Sequence, residues 1–120
     1  MKIAVMKMTI PQLNWSVANL IGAEINFESD GTIKVNGHLF NPVENWSQGG
    51  PISEAARIWC RWMSNDEPSK EHWEAVSGWF PRIVECAGPT ELIAKMRCLV
   101  TKRLGDEVDI PDELAALVLH

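Results

Sequence analysis

The sequence predicts an α+β domain in which an antiparallel β-sheet packs with two or three helices as an α/β sandwich. Three observations lead there. Two segments repeat apolar residues at helical spacing between capping residues. Asp30-Gly31 and Asn36-Gly37 separate short alternating runs, as tight hairpin turns require. Helix and strand signals interleave, yet the turns are hairpin-like, which favours an antiparallel sheet over a doubly wound one. The chain has 120 residues and no repeat, low-complexity tract or linker-like stretch, so a single domain over residues 1–120 is expected.

Taken in order, Ile3 to Met6 can form a short strand. Thr9 is placed to cap a helix whose stripe is Ile10, Leu13, Val17, Leu20 and Ile21, and Gly22 supplies its stop. From Ala23 to Phe40, Ile25 and Phe27, then Ile33 and Val35, alternate with polar neighbours. Strands are expected near residues 24–28 and 32–35. The middle supports two patterns: Ile52, Ala55, Ala56, Trp59 and Met63 fit a helix, while Ile58, Cys60 and Trp62 alternate as in a strand. The reading adopted is a short helix from Gly50 to Ala56, opened by Pro51, then a strand through Trp62. A further strand is expected from His72 to Val76, ended by Gly78 and Pro81. Last, Leu92, Ile93, Met96, Leu99, Val100 and Leu104 form a helical stripe. Thr90 or Pro89 starts it, Lys102 and Arg103 complement its dipole, and Gly105 ends it. The helices near residues 9–21 and 90–104 are expected to lie on a sheet that includes the strands at 24–28 and 32–35.

Several segments resemble one family. They are WSQGGPI at Trp46–Ile52, GPTELIAKMRC at Gly88–Cys98 and its continuation GDEVDIPDEL at Gly105–Leu114, with LNWSVA at Leu13–Ala18 and FNP at Phe40–Pro42. Together they are similar to the NinX-like phage proteins, small domains of unknown function. The chain departs from that pattern between Glu54 and Cys86, where it is rich in Trp, and at Glu91, where the family usually has a second proline. The resemblance implies a compact sandwich of helices and sheet and an origin in a phage, prophage or other mobile element. It carries over no catalytic or binding residue.

The composition limits the chemistry. Asp and Glu outnumber Lys and Arg 16 to 11, giving a net charge of -5. That balance argues against a nucleic-acid partner, whose non-specific affinity comes from basic residues. Lys95, Arg97, Lys102 and Arg103 make the last helix locally basic, and Glu91 precedes Lys95 at the spacing of a solvated ion pair. Cys60, Cys86 and Cys98 are odd in number and irregularly spaced, which with no secretory signal reads as reduced thiols in a cytoplasm, and the phage resemblance implies that this is the cytoplasm of a bacterial host. No run approaches the roughly 20 apolar residues that span a bilayer, so no membrane insertion is expected. With only His38, His72 and His120, and no Cys-x-x-Cys or His-x-x-x-His spacing, neither a metal nor another cofactor is expected. Cys98 reads as a small half-buried hydrophobe. Cys60 has Arg61 beside it but no base in the sequence, so no catalytic residue is assigned. Gly49-Gly50-Pro51 fits neither phosphate-loop pattern.

Six tryptophans and no tyrosine is the unusual feature. Trp15 falls nearly opposite the Leu13, Val17, Leu20 stripe, which marks either a second buried layer or a contact surface. In the segment Asn45, Trp46, Ser47, Gln48 and Gly49, an aromatic stands among side chains that donate and accept hydrogen bonds. The opposing reading makes Trp46 a plug at the end of the sandwich and the polar residues a helix cap. Three functional classes remain: a non-enzymatic accessory protein that binds a host protein, a phage protein or a second copy of itself, a small-molecule enzyme, and a nucleic-acid-associated factor. The first is favoured, with Trp15 or the Asn45–Gly49 segment as its surface.

Overall fold

Extended backbone opens the chain but does not persist: β1 (Lys2–Ala4) gives way to a 3-10 turn at Val5–Lys7, so the strand expected to reach Met6 is shorter. The structure is a computed structural model that describes residues 1–22, 24–78 and 82–117. Ala23, Pro81 and His120, all named above, lie outside the described residues, as does Trp79 among the six tryptophans. Helix α1 (Ile10–Ile21) begins with a reciprocal cap in which Thr9 Oγ1 accepts from the Gln12 N–H and Gln12 Oε1 accepts from the Thr9 N–H at 3.0 Å. Gly22 ends it with φ at +73°, a left-handed conformation that glycine adopts without steric penalty.

The expected hairpins follow as β2 (Ile25–Phe27), β3 (Ile33–Val35) and β4 (His38–Leu39), an antiparallel meander. Asn36 and Gly37 both carry positive φ, 51° and 81°, as the two-residue turn between β3 and β4 needs.

The middle of the chain corrects the sequence reading. Helix α2 (Trp46–Ala55) starts four residues before Gly50, because the Asn45 side chain accepts from the Ser47 N–H at 2.9 Å and supplies the cap. Pro51 therefore lies inside the helix and does not open it. Strand β5 (Trp59–Met63) matches the expected position, and β6 (His72–Ser77) runs one residue beyond it. Three elements were not foreseen: β7 (Val84–Gly88), β8 (Glu107–Asp109) and α4 (Asp112–Ala115). Between β7 and β8 lies α3 (Glu91–Leu104), capped by Thr90 as expected.

A single sheet was expected, and three antiparallel sheets form: β2-β3-β4, β5-β6-β7 and the ribbon β1-β8, in which Ile3 pairs with Val108. The helices divide accordingly. α3 lies on β5-β6-β7, and α1 packs chiefly on α3 while reaching β3. The α1 stripe thus meets a helix where a sheet was expected. α3 is enclosed from both sides, so Ala94 and Cys98 are buried together with Leu92, Met96, Leu99 and Val100. Two members of the expected α3 stripe sit further out, with Ile93 half-buried and Leu104 exposed. Among the described residues no helix is long and apolar enough to cross a membrane, and no group of three His, Cys, Asp or Glu residues could hold a metal ion.

Candidate functional site

The segment Asn45–Gly49 is built first as structure. Asn45 Oδ1 accepts from both the Ser47 N–H and the Ser47 hydroxyl, at 2.9 and 2.6 Å, so the two residues close the cap on each other. Gln48 bridges to the preceding loop: its Oε1 accepts from the Asn41 N–H at 2.7 Å and its Nε2 donates to the Leu39 carbonyl at 2.8 Å. Asn41 is also held from α1, where the buried Asn14 donates to Asn41 Oδ1 at 2.9 Å and accepts from the Val43 N–H at 3.2 Å. Gly49 is buried, and any Cβ there would run into the Pro42 carbonyl and come within 2.8 Å of Leu92. These contacts fix the angle at which α2 leaves the Phe40–Glu44 loop.

Trp46 is what that framework presents outward. It is 51% exposed, so it is not a plug at the end of the sandwich. Lys95 Nζ stands 5.3 Å from its ring centroid and 3.2 Å from Glu91 Oε1. Only 13% of the Lys95 side chain is exposed, so the pair is not the solvated pair its spacing suggested. Shallow clefts of about 270 and 410 Å³ flank the indole, one toward Val43 and Leu92, the other toward Pro51 and Ile58.

Trp15 takes the other branch of its reading. It is half-buried and packs against the core, in a helix whose residues 12–14 and 16–18 are all buried. The structure therefore does not bring Trp15 together with the Asn45–Gly49 segment as one exposed surface.

Two exposed tryptophans on β5 were not singled out from the sequence. Strand alternation places Trp59 and Arg61 on the sheet face away from α3, with the Arg61 guanidinium 5.8 Å from the Trp59 ring and paired with Glu74. Trp62 is on the α3 side, in the cross-sheet row Trp62, Trp73, Gly88. Because Gly88 abuts Ala94, this row lies at the N-terminal end of α3. Trp62 and Trp73 meet edge to face, their centroids 5.3 Å apart at 66°. The charges of Glu91 and Lys95 also reach Cys60, on the same sheet face, where burial pushes the thiol pKa up. The first turns of α3 are thus flanked by Trp46 on α2 and by the Cys60 and Trp62 side of β5. The alternation of β5 was the available sequence signal; which face α3 would cover was not.

The basic residues of α3 are largely engaged internally. Lys95 serves Glu91 and Trp46, Arg97 donates to the Ala87 carbonyl at 2.8 Å, and Lys102 donates to Ser77 Oγ at 3.0 Å.

The chain matches the family model described as Bacteriophage P22, NinX over residues 5–103, a span that holds every residue discussed in this subsection. No curated protein matches it.

Proposed function

The chain belongs to the bacteriophage P22 NinX family, and from that premise we propose that it is a non-enzymatic phage accessory protein that binds another protein through the Trp46 end of α2. The partner is a host protein, a phage protein or a second copy of the chain, and the setting is the bacterial host cytoplasm. One observation carries the reading: an aromatic side chain that is half-exposed stands in the first turn of a helix, where the neighbouring polar side chains Asn45, Ser47 and Gln48 are already consumed in holding it still. A large rigid aromatic with little entropy left to lose is the kind of residue on which binding energy concentrates. Asn45, Ser47, Gln48 and Gly49 serve this surface by positioning it, and Trp15 serves it by holding α1 in the core.

The test compares three single substitutions. Trp46→Ala is expected to leave the unfolding midpoint nearly unchanged while weakening self-association in sedimentation, or the recovery of a defined partner from host lysate at both moderate and high salt. Trp15→Ala is expected to lower the midpoint. Trp62→Ala reports whether the surface extends to β5. A strictly monomeric wild type together with a lysate partner that Trp46→Ala retains at full yield would overturn the reading. Recovery of nucleic acid that salt removes would replace it with the nucleic-acid reading.

A further inference from the structure

Between β7 and α3, away from Trp46, two thiols are neighbours, Cys86 on the strand and Cys98 on the helix. Cys98 is fully buried and directs its thiol to the Val84 carbonyl at 3.4 Å, while Cys86, two residues along the same strand face, lies 3.6 Å from Thr101 Oγ1, one helical turn beyond Cys98. Each thiol thus bonds across to the opposite element, Cys98 to β7 and Cys86 to α3. Beside them the Arg97 guanidinium is half-buried, and its Nε has no hydrogen-bond partner among the described residues. A cleft of about 290 Å³ opens onto Cys86 from the side of Met6, Glu85, Thr101 and Asp106.

We propose that Cys86 and Cys98 form a peroxide-oxidisable dithiol, with Cys86 as the attacking sulfur and Cys98 as the resolving one, closing into a disulfide that ties β7 to α3. In the first step the Cys86 thiolate attacks one peroxide oxygen, forming an S–O bond as the O–O bond breaks and hydroxide leaves, which takes up the proton that Cys86 released and becomes the first water. Cys98 sulfur then attacks Cys86 sulfur. The S–S bond forms, the S–O bond breaks, and the departing oxygen leaves as water with the Cys98 proton. Two thiols are oxidised and one hydrogen peroxide is reduced to two waters, so no further reactant is needed.

The surroundings suit these roles. The Cys98 thiol, then Thr101 and the charge of Arg97, draw the Cys86 pKa down to about 7, against burial and the charge of Asp106. The same neighbour relation and burial hold Cys98 well above the ordinary thiol range, so it keeps its proton until the second step. A thiolate at Cys86 also gives the buried guanidinium of Arg97 a counter-charge. Glu85 and Asp106 at the cleft disfavour anionic oxidants and admit a small neutral one. Cys60 makes an internal control. It shares the cross-sheet row Cys60, Ala75, Cys86, which puts it two strand spacings from Cys86, roughly 9.5 Å, beyond the reach of a disulfide.

The experiment treats the full chain with hydrogen peroxide, alkylates the remaining thiols under denaturing conditions and maps the peptides. The expected result is a linked Cys86–Cys98 peptide, Cys60 as the one alkylated thiol, and reversal by dithiothreitol. Iodoacetamide labelling of Cys86 in untreated protein is expected to rise through a midpoint near pH 7. In Cys98→Ala, oxidation is expected to stop at a Cys86 sulfenic acid that dimedone traps. The mapping needs only the wild-type chain, so poor folding of that variant does not remove the test. If Cys60 is oxidised ahead of Cys86, if a link joins Cys60 to either partner, or if all three thiols survive peroxide that oxidises a free thiol control, the proposal is overturned.

Discussion

α2 and α3 pack side by side, yet they are held in place by different means. α3 buries Leu92, Ala94, Met96, Cys98, Leu99 and Val100 between a sheet and another helix, and apolar burial suffices to fix it. α2 buries only Gly49 and Ser53, contains a proline and has a weak apolar face. Its position comes from the Gln48 bridge, the Asn45 cap and the close approach of Gly49 to Pro42. A helix seated by burial has little apolar surface left to offer a partner, whereas one seated by hydrogen bonds and a backbone contact can leave its largest side chain, Trp46, facing outward.

Four substitutions break or sharpen that contrast. The largest effect is expected from Met96→Asp, which puts an unpaired charge into a side-chain site with no exposure. The cost of several kcal/mol approaches the whole stability of a small domain, about 5–15 kcal/mol, and the variant should show no cooperative unfolding transition by circular dichroism. Gly49→Ala comes next. Its methyl group meets the Pro42 carbonyl, a backbone atom that cannot swing aside, and the overpacking is expected to cost about 1–3 kcal/mol in a urea titration. Gln48→Ala frees the Asn41 N–H and the Leu39 carbonyl at a partly wetted site. A loss of about 1 kcal/mol is expected, with faster amide exchange in the Phe40–Glu44 loop than in α3. Trp46→Ala should be smallest in stability, below about 1 kcal/mol, because it removes one partly exposed contact with Lys95. If Trp46→Ala proved more damaging to folding than Gln48→Ala, the contrast between the two helices would be wrong.

The parts of the fold that were legible in the sequence are those whose signals are local. Thr9, Gly22, Thr90 and the Asn36-Gly37 turn each act within a few residues, and the helices and hairpin they bound stand where expected. α2 was started late because its cap precedes Trp46-Ser47-Gln48-Gly49-Gly50, a run with no amphipathic pattern to announce a helix. β7 was missed for a similar reason: Val84, Cys86 and Gly88 do alternate inward, but small residues give little strand signal, and their inward face is defined only by α3. The division into three sheets depends on pairings such as Ile3 with Val108, which no local pattern encodes. At the candidate site, the residue types around Trp46 were legible. The exposure of its indole and the role of Lys95 were not, because both arise where α2 meets α3.

The central place of α3 also bears on how the protein is made. Leu13 and Val17 of α1 leave the ribosome before the helix that covers them, which spans residues 91–104. At synthesis rates of about 5–20 residues per second, the roughly 80 intervening residues take about 4–16 s to add. Through that interval the α1 stripe has no α3 to close on, and the inner face of β5-β6-β7, complete only at Gly88, waits for the last part of it. The nascent chain therefore carries the uncovered α1 stripe until residue 104 has been added.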